Sequence, residues 1–213
     1  MTKFGTIIAD PPWEYAVTSG KIYRPVLDDD GKPVLGDDGN EKQEKQLSGY
    51  SDQKYLPLST GDLCKLDVKS CAADSSVLLL WTTFPHIPNA LKVMQAWGYE
   101  YKTGLGWGKT TKDGKQLSFG VGYWFRGCIE LVLVGKRGKK SYRTNVRGGH
   151  LSHPEGHSIK PDFLHELAEK HFPEPRLEMF GRRERDGWTV IGNEAPGHKG
   201  EDIKDALLRL AGE

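Results

Sequence analysis

Cysteine is scarce in this 213-residue sequence: Cys64, Cys71 and Cys128 are odd in number and form no C-x-x-C pair. That spacing excludes a disulfide framework and a cysteine-rich zinc site, and it leads us to expect a reducing, cytoplasmic setting. Long apolar runs are also missing. The longest, "VLLLW" at 77–81, is far too short to span a bilayer, and the opening "MTKFGTIIADPPW" lacks the apolar core of a signal peptide, so a soluble chain with no membrane partner is expected. Charge of one sign does not accumulate: 30 basic residues against 29 acidic ones leave a formal +1. No global field then advertises a polyanion or a membrane, and any such partner has to use a local patch. No G-x-G-x-x-G follows a strand candidate, which disfavours a dinucleotide site. The seven histidines give no H-x-x-x-H pair on a credible helix, so a metal hydrolase is disfavoured and His150, His153 and His157 are read as positional.

What the sequence does hold is an alternation of short apolar runs with segments of helical period, the pattern of an α/β protein with a mostly parallel sheet flanked by helices. Strands are expected at 6–9, 77–83, 99–107, 128–135, 176–180 and 188–191. Helices are expected from Ser59 or Thr60 to about Cys71, from Pro88 to Trp97, and from Pro161, a residue suited to a first helical turn, to just before Pro173. We expect residues 1–213 to form a single domain with two appendages. Residues 18–50 form an acidic hairpin or arm, because "PVLDDDGKPVLGDDGN" at 25–40 repeats an Asp-Gly turn signal; a calcium loop at Asp28, Asp30 and Gly31 is disfavoured for want of a twelfth-position glutamate. Residues 199–213 form an amphipathic helix through Ile203, Ala206, Leu207 and Leu210.

The stretch "IIADPPWEY" at 7–15 carries the chemistry. A carboxylate directly after a buried strand sits at the strand's carboxyl end, where open α/β sheets place their ligands. Pro11 and Pro12 fix their own φ angles and supply no N–H, so the preceding carbonyls are expected to remain rigid, outward-facing acceptors. Asp10 and the Pro11 carbonyl could then accept both hydrogens of an exocyclic amine such as that of adenine, with Trp13 stacked on the ring that bears it. Such acceptors localise the amine lone pair and stabilise the positive charge that grows as it attacks a methyl donor.

Six further observations are ordered along the chain: "ADPPW" at 9–13, "LLLWTT" at 78–83, "AWGYEYKTGLGWGK" at 96–109, "GYWFRGCIELVLVGKRG" at 122–138, "HSIKP" at 157–161 and "EMFGRRERDGWTVIGNE" at 178–194. In these pieces and their order the sequence resembles the MT-A70 family of adenine N6-methyltransferases, over roughly residues 4–195. The resemblance implies a Rossmann-like methyltransferase fold with permuted motif order, the "DPPW" strand preceding the cofactor-binding strand, and S-adenosylmethionine as cofactor. It implies a catalytic group of Asp10, Pro11, Pro12 and Trp13. Asp10 would also meet the methionine amino group of the cofactor, Lys160 and Arg182 its carboxylate, Phe180 and Gly181 its adenosine side, and Asn193 and Glu194 its ribose and adenine, with Arg185 in the same cofactor loop. Eukaryotic RNA-modifying members carry histidine and asparagine where this chain has Glu184 and Arg185, and "RRERDGW" looks more like bacterial and phage members.

For the substrate, the densest basic stretch is "GKRGKKSYRTNVRGGH" at 135–150, with Lys136, Lys139, Lys140 and Arg143 as candidate phosphate contacts. Trp13, Tyr15, Trp124 and Arg126 are the other substrate candidates. Methyl transfer to adenine in DNA is expected, ahead of RNA; a non-catalytic nucleic-acid-binding subunit is the rival class, and a homodimer or a partner subunit is left open.

Overall fold

A computed structural model describes residues 2–14, 22–25, 34, 43–46, 57–120, 124–156 and 159–212. They fall into two compact units, Glu14–Pro57 and the remainder, in which the chain leaves after Trp13 and resumes at Leu58. In the smaller unit, β2 (Ile22–Pro25) and β3 (Gln43–Gln46) pair antiparallel with Ile22 opposite Gln46. The Asp-Gly repeat itself, including Asp28, Asp30 and Gly31, lies outside the described residues.

The larger unit is built on a seven-stranded sheet. Its strands are β1 (Phe4–Ala9), β4 (Ala72–Thr82), β5 (Glu100–Lys109), β6 (Ile129–Arg137), β7 (Gly149–Ser152), β8 (Arg176–Met179) and β9 (Trp188–Ile191), in the order β7-β5-β6-β4-β1-β8-β9. β1 runs parallel to both β4 and β8, β8 to β9 and β5 to β7, while β6 is antiparallel to both of its neighbours. Six strands therefore point one way and β6 the other.

Every residue of β1 is buried, as expected of a central strand covered on both faces. Ile7 and Ala9 join the core with α2 (Ile87–Ala96) and α4 (Ile203–Ala211), through Val93, Met94, Ala206 and Leu207; Ile8 points to the opposite face and packs with Leu164 and Ala168 of α3 (Phe163–His171). Helices thus cover both faces of a mixed, mostly parallel sheet, a Rossmann-like methyltransferase fold. Three buried indoles keep their N–H groups satisfied: Trp97 donates to Leu63 O at 2.8 Å, Trp107 to Ser152 Oγ at 2.9 Å and Trp13 to Trp81 O at 3.0 Å.

Two elements differ from expectation. The first helix, α1 (Thr60–Cys64), stops early, and a short 3-10 turn follows at Val68–Ser70. The last turn tightens as Lys65 N–H donates to Asp62 O at 3.1 Å, and Asp67 then caps the 3-10 turn by accepting the Ser70 N–H at 3.3 Å. β7 has no strand signal at all, since "GHLS" contains no β-branched residue; pairing with β5 at the sheet edge makes it a strand.

Candidate active site

The chain turns from β1 toward β4 on one side, and from β8 toward β9 on the other, so β1 and β8 flank a point where strand order reverses. Crevices at such points receive ligands beyond the carboxyl ends of the strands. The strand ends here are tied together: Asp10 N–H donates to Met179 O at 3.4 Å and Gly181 N–H to Ile191 O at 3.1 Å. At the crest, Phe180 has φ +65°, the one positive φ outside glycine among the described residues. A side chain in that region is strained, and such strain concentrates at ligand sites. Gly192, with φ +142°, permits it by close approach: a Cβ there would lie 2.8 Å from Phe180 Cα.

Asp10 leaves β1 into this crevice with about a third of its side chain open, and a chain of charges extends from it. Lys160 Nζ lies 2.9 Å from Asp10 Oδ2 and 3.1 Å from Glu130 Oε2, and Glu130 also pairs with Lys109. The Lys160 ammonium stands 5.5 Å from the Trp81 ring centroid, a cation–π placement. Burial pushes the Asp10 carboxyl above its ordinary range, against the pull of Lys160 and, more weakly, of Arg182. Burial opposes the charge on Lys160, but Asp10 and Glu130 outweigh it and hold the ammonium protonated well beyond the usual lysine range. Burial likewise works against Glu130, yet Lys160 and Lys109 hold its carboxyl below the usual value.

The prolines behave differently from expectation. Pro11 O accepts the Trp13 N–H at 2.9 Å and Pro12 O accepts the Leu58 N–H at 2.9 Å, so the Pro11 carbonyl is engaged locally and keeps one lone pair for another donor. Trp13 is held within the fold. It is only 8% exposed, its ring stacks on His86 at 5.5 Å and 20°, and its N–H is held by Trp81, so it anchors the loop and offers little face to a target ring. Burial keeps His86 below its ordinary pKa, which favours the neutral ring in that stack.

On the cofactor side, Gly181 is buried and tightly enclosed, since a Cβ on it would meet Val190 Cγ1 at 2.4 Å. Arg182 Nε pairs with Glu194 Oε2 at 3.0 Å, joining the loops after β8 and β9, and Asn193 is exposed beside that pair. Arg185 turns toward α3: it pairs with Asp162 at 2.6 Å and Glu169 at 3.3 Å, and Glu169 also accepts the Trp188 N–H at 2.8 Å. That arrangement fastens the 181–187 loop to α3.

The substrate candidates separate by edge of the sheet. β6 starts at the catalytic edge and runs away from it, because it is antiparallel. Lys136 stands opposite Val77, four residues back along β4 from the level of Asp10, about 13 Å at a strand rise of about 3.3 Å. Lys139, Lys140 and Arg143 follow beyond it. Tyr142, between them, donates to Ser75 O at 3.4 Å near the start of β4, with Lys140 over its ring at 5.5 Å. Strand direction therefore sets these four basic residues apart from Asp10. Trp124 and Arg126, in contrast, belong to the β5–β6 connection at the catalytic edge. Tyr15 lies outside the described residues.

Sequence reasoning missed Glu130, Lys109, Trp81 and His86. Glu130 and Lys109 face each other only through the antiparallel pairing of β5 and β6, and neither sits in a chemical motif. Trp81, Glu130 and Lys109 nevertheless lie inside the quoted segments 78–83, 96–109 and 122–138, where an inward-pointing charge on an apolar strand is the available signal. Among the described residues no group of three or more histidine, cysteine or acidic side chains could hold a metal ion, and no helix is long and apolar enough to cross a membrane.

An acid, two cations and a strained strand end meet at the switch point of a sheet covered on both faces, the place where α/β enzymes of this architecture hold their ligands. The family model of MT-A70 matches residues 39–194, which include Glu130, Lys160, Arg182 and Glu194 and start after Asp10. The chain belongs to the MT-A70 family, and its class is that of adenine methyltransferases. It is 33% identical to the type II methyltransferase M.MunI of Mycoplasma sp. over 202 residues, 92% of this chain and 80% of that protein. It is 25% identical to the human N(6)-adenosine-methyltransferase catalytic subunit METTL3 over 211 residues, 92% of this chain and 29% of that protein. An MT-A70-like N(6)-adenosine-methyltransferase of Arabidopsis thaliana is 23% identical over 91% of this chain and 24% of its own length.

Proposed function

We propose that this chain transfers a methyl group from S-adenosylmethionine to the N6 amine of adenine in DNA. The observation that carries this reading is the Asp10–Lys160–Glu130 cluster at the reversal point of the sheet. DNA is ranked ahead of RNA because "RRERDGW" looks more like bacterial and phage members than like the RNA-modifying ones; the chain covers 80% of the type II methyltransferase but only about a quarter to a third of the N(6)-adenosine relatives.

The donor set fits an amino acid joined to a nucleoside. Lys160 and Arg182 offer cations to a carboxylate, Asp10 offers an anion to an ammonium, and Glu194 and Asn193 offer acceptors to hydroxyls. When bound, S-adenosylmethionine supplies an electrophilic methyl group on a sulfonium. Asp10 accepts one N–H of the adenine amine and the free lone pair of Pro11 O accepts the other, which restores electron density to the nitrogen and opposes the positive charge that develops there. Trp13 and His86 hold that carbonyl in place. Lys160 keeps Asp10 ionised and fixed in direction, and Glu130 with Lys109 keeps Lys160 from closing over Asp10 alone. The methylated amine is acidic enough to shed its proton afterwards, so Asp10 need not act as a base before attack.

The test incubates the purified chain with methyl-labelled cofactor and native DNA, denatured DNA or RNA, alongside Asp10→Ala. Label on the adenine amine of DNA, lost in the variant, is expected. Equal label from the variant would remove Asp10 from the reaction, and label confined to RNA would reassign the substrate.

A further inference from the structure

The connection between β5 and β6 holds the most exposed aromatic side chains among the described residues. Its base is pinned twice: Lys109 N–H donates to Cys128 O at 2.8 Å and Ser118 N–H to Lys109 O at 2.7 Å. Higher up, the backbones of Gly120 and Gly127 touch so closely that a Cβ on Gly120 would lie 1.9 Å from Gly127 O. Past that neck stand Trp124 and Phe125, 94% and 89% exposed, with Phe119 beside the neck at 82% and Arg126 over its ring at 5.0 Å. None of these rings contributes to either core.

We infer that the Trp124–Phe125 tip is a wedge that enters duplex DNA beside the target adenine and takes over the stacking that the adenine gives up when it swings out. The inference rests on the DNA-adenine reading above. Three observations carry it. The loop rises from the catalytic edge: Lys109 and Glu130, which bound its two stems, belong to the same charge chain as Asp10. Asp10 lies at a strand end with about two thirds of its side chain covered, so an adenine paired inside a duplex cannot present its amine there without leaving the stack. The exposed chemistry is that of a base-stacking surface, flat rings whose faces stack on any base, accompanied by Arg126, Lys112 and Lys115 for the phosphates on either side. The narrow glycine neck lets two large rings project together without drawing the strands of the sheet apart.

The test compares the wild-type chain with Trp124→Ala/Phe125→Ala on native plasmid DNA and on the same plasmid after heat denaturation, so that every sequence is offered in both forms. Both positions are solvent-exposed, and unchanged circular dichroism and melting temperature confirm that the variant is folded. We expect the variant to lose about tenfold or more of its methyl transfer to native plasmid and to come within about threefold of wild type on denatured plasmid. Equal losses on both forms would make the tip a general contact and overturn the wedge. So would no loss on either, or wild-type transfer confined to denatured DNA. A variant that changes oligomeric state while keeping its preference for native DNA would assign the tip to a protein interface instead. Failure of the wild-type chain to label DNA in any form would overturn the DNA reading itself, an outcome read before the variant is compared.

Discussion

The two edges of the central sheet carry charge in opposite styles. At the carboxyl edge, Asp10, Lys160, Glu130 and Lys109 alternate in sign, are mostly covered, and touch one another. At the amino edge, Lys136, Lys139, Lys140 and Arg143 share one sign, and all but Lys136 are exposed. A short alternating chain in a partly dry crevice fixes directions and protonation states, because each ion is held by its neighbours in a medium that screens little. A like-signed exposed stretch fixes nothing locally and acts through long-range attraction, which salt removes. The densest basic segment is therefore not where the chemistry is, and the direction of one antiparallel strand accounts for the separation.

The largest expected effect falls on the carboxyl edge. Asp10→Asn keeps the shape and removes the anion; methyl transfer should fall by about 10³-fold, the scale seen when a charge-stabilising group is removed from a transition state, while melting temperature holds or rises. Incorporation of labelled methyl groups checks the first part and thermal unfolding the second.

Lys160→Met should cost about 10²-fold in rate and also change the pH dependence of stability. Without the ammonium, Asp10 and Glu130 face each other in a desolvated site, and their folded-state pKa values rise above the unfolded ones. Their contribution to stability is then present at low pH and lost as pH rises through the raised values, so the variant should melt higher near pH 5 than near pH 8. A melting profile parallel to that of wild type would show that Lys160 is not what balances the pair. In the wild-type chain, burial already lifts Asp10, so transfer should fail on acidification at a pH above the ordinary aspartate range, as read from a pH–rate profile.

Gly192→Ala comes next. Its φ of +142° and the 2.8 Å approach to Phe180 leave no room for a methyl group, so we expect a loss of about 1–3 kcal/mol in stability together with weaker cofactor binding by calorimetry. The smallest effect on turnover belongs to the amino edge: Lys139→Gln/Lys140→Gln/Arg143→Gln should leave the rate at saturating DNA within about twofold and flatten the salt dependence of DNA binding by up to about three in logarithmic slope. An unchanged slope would remove that segment from nucleic-acid contact.

Much of the fold is legible in the sequence because it is written in local signals. Apolar runs mark β4, β6 and β8, Pro161 and Pro173 bracket α3, and the spacing of Ile203, Ala206 and Leu207 marks α4. β7 and the early stop of α1 are not, because edge pairing decides the first and a tightened last turn at Lys65, followed by the Asp67-capped 3-10 turn, the second. For the site, Asp10 can be read from its place beside a strand end and Lys160 from the family resemblance, and they meet at 2.9 Å. Glu130 and Lys109 cannot, since each is an isolated charge on its strand until two strands pair. The burial of Trp13 is hidden for the same reason: His86 and Trp81 come from elsewhere in the chain.

β1 and β8 lie side by side, with Thr6 opposite Arg176 and Ala9 opposite Met179, although some 170 residues of chain separate them. On the ribosome, then, the acid is made some 170 residues before the strand that completes its pocket. A nascent chain halted before β8 would hold the reactive carboxylate and no crevice. Two fragments divided between them at an exposed loop should recover activity only on association, making the centre of this sheet a natural seam for a split enzyme.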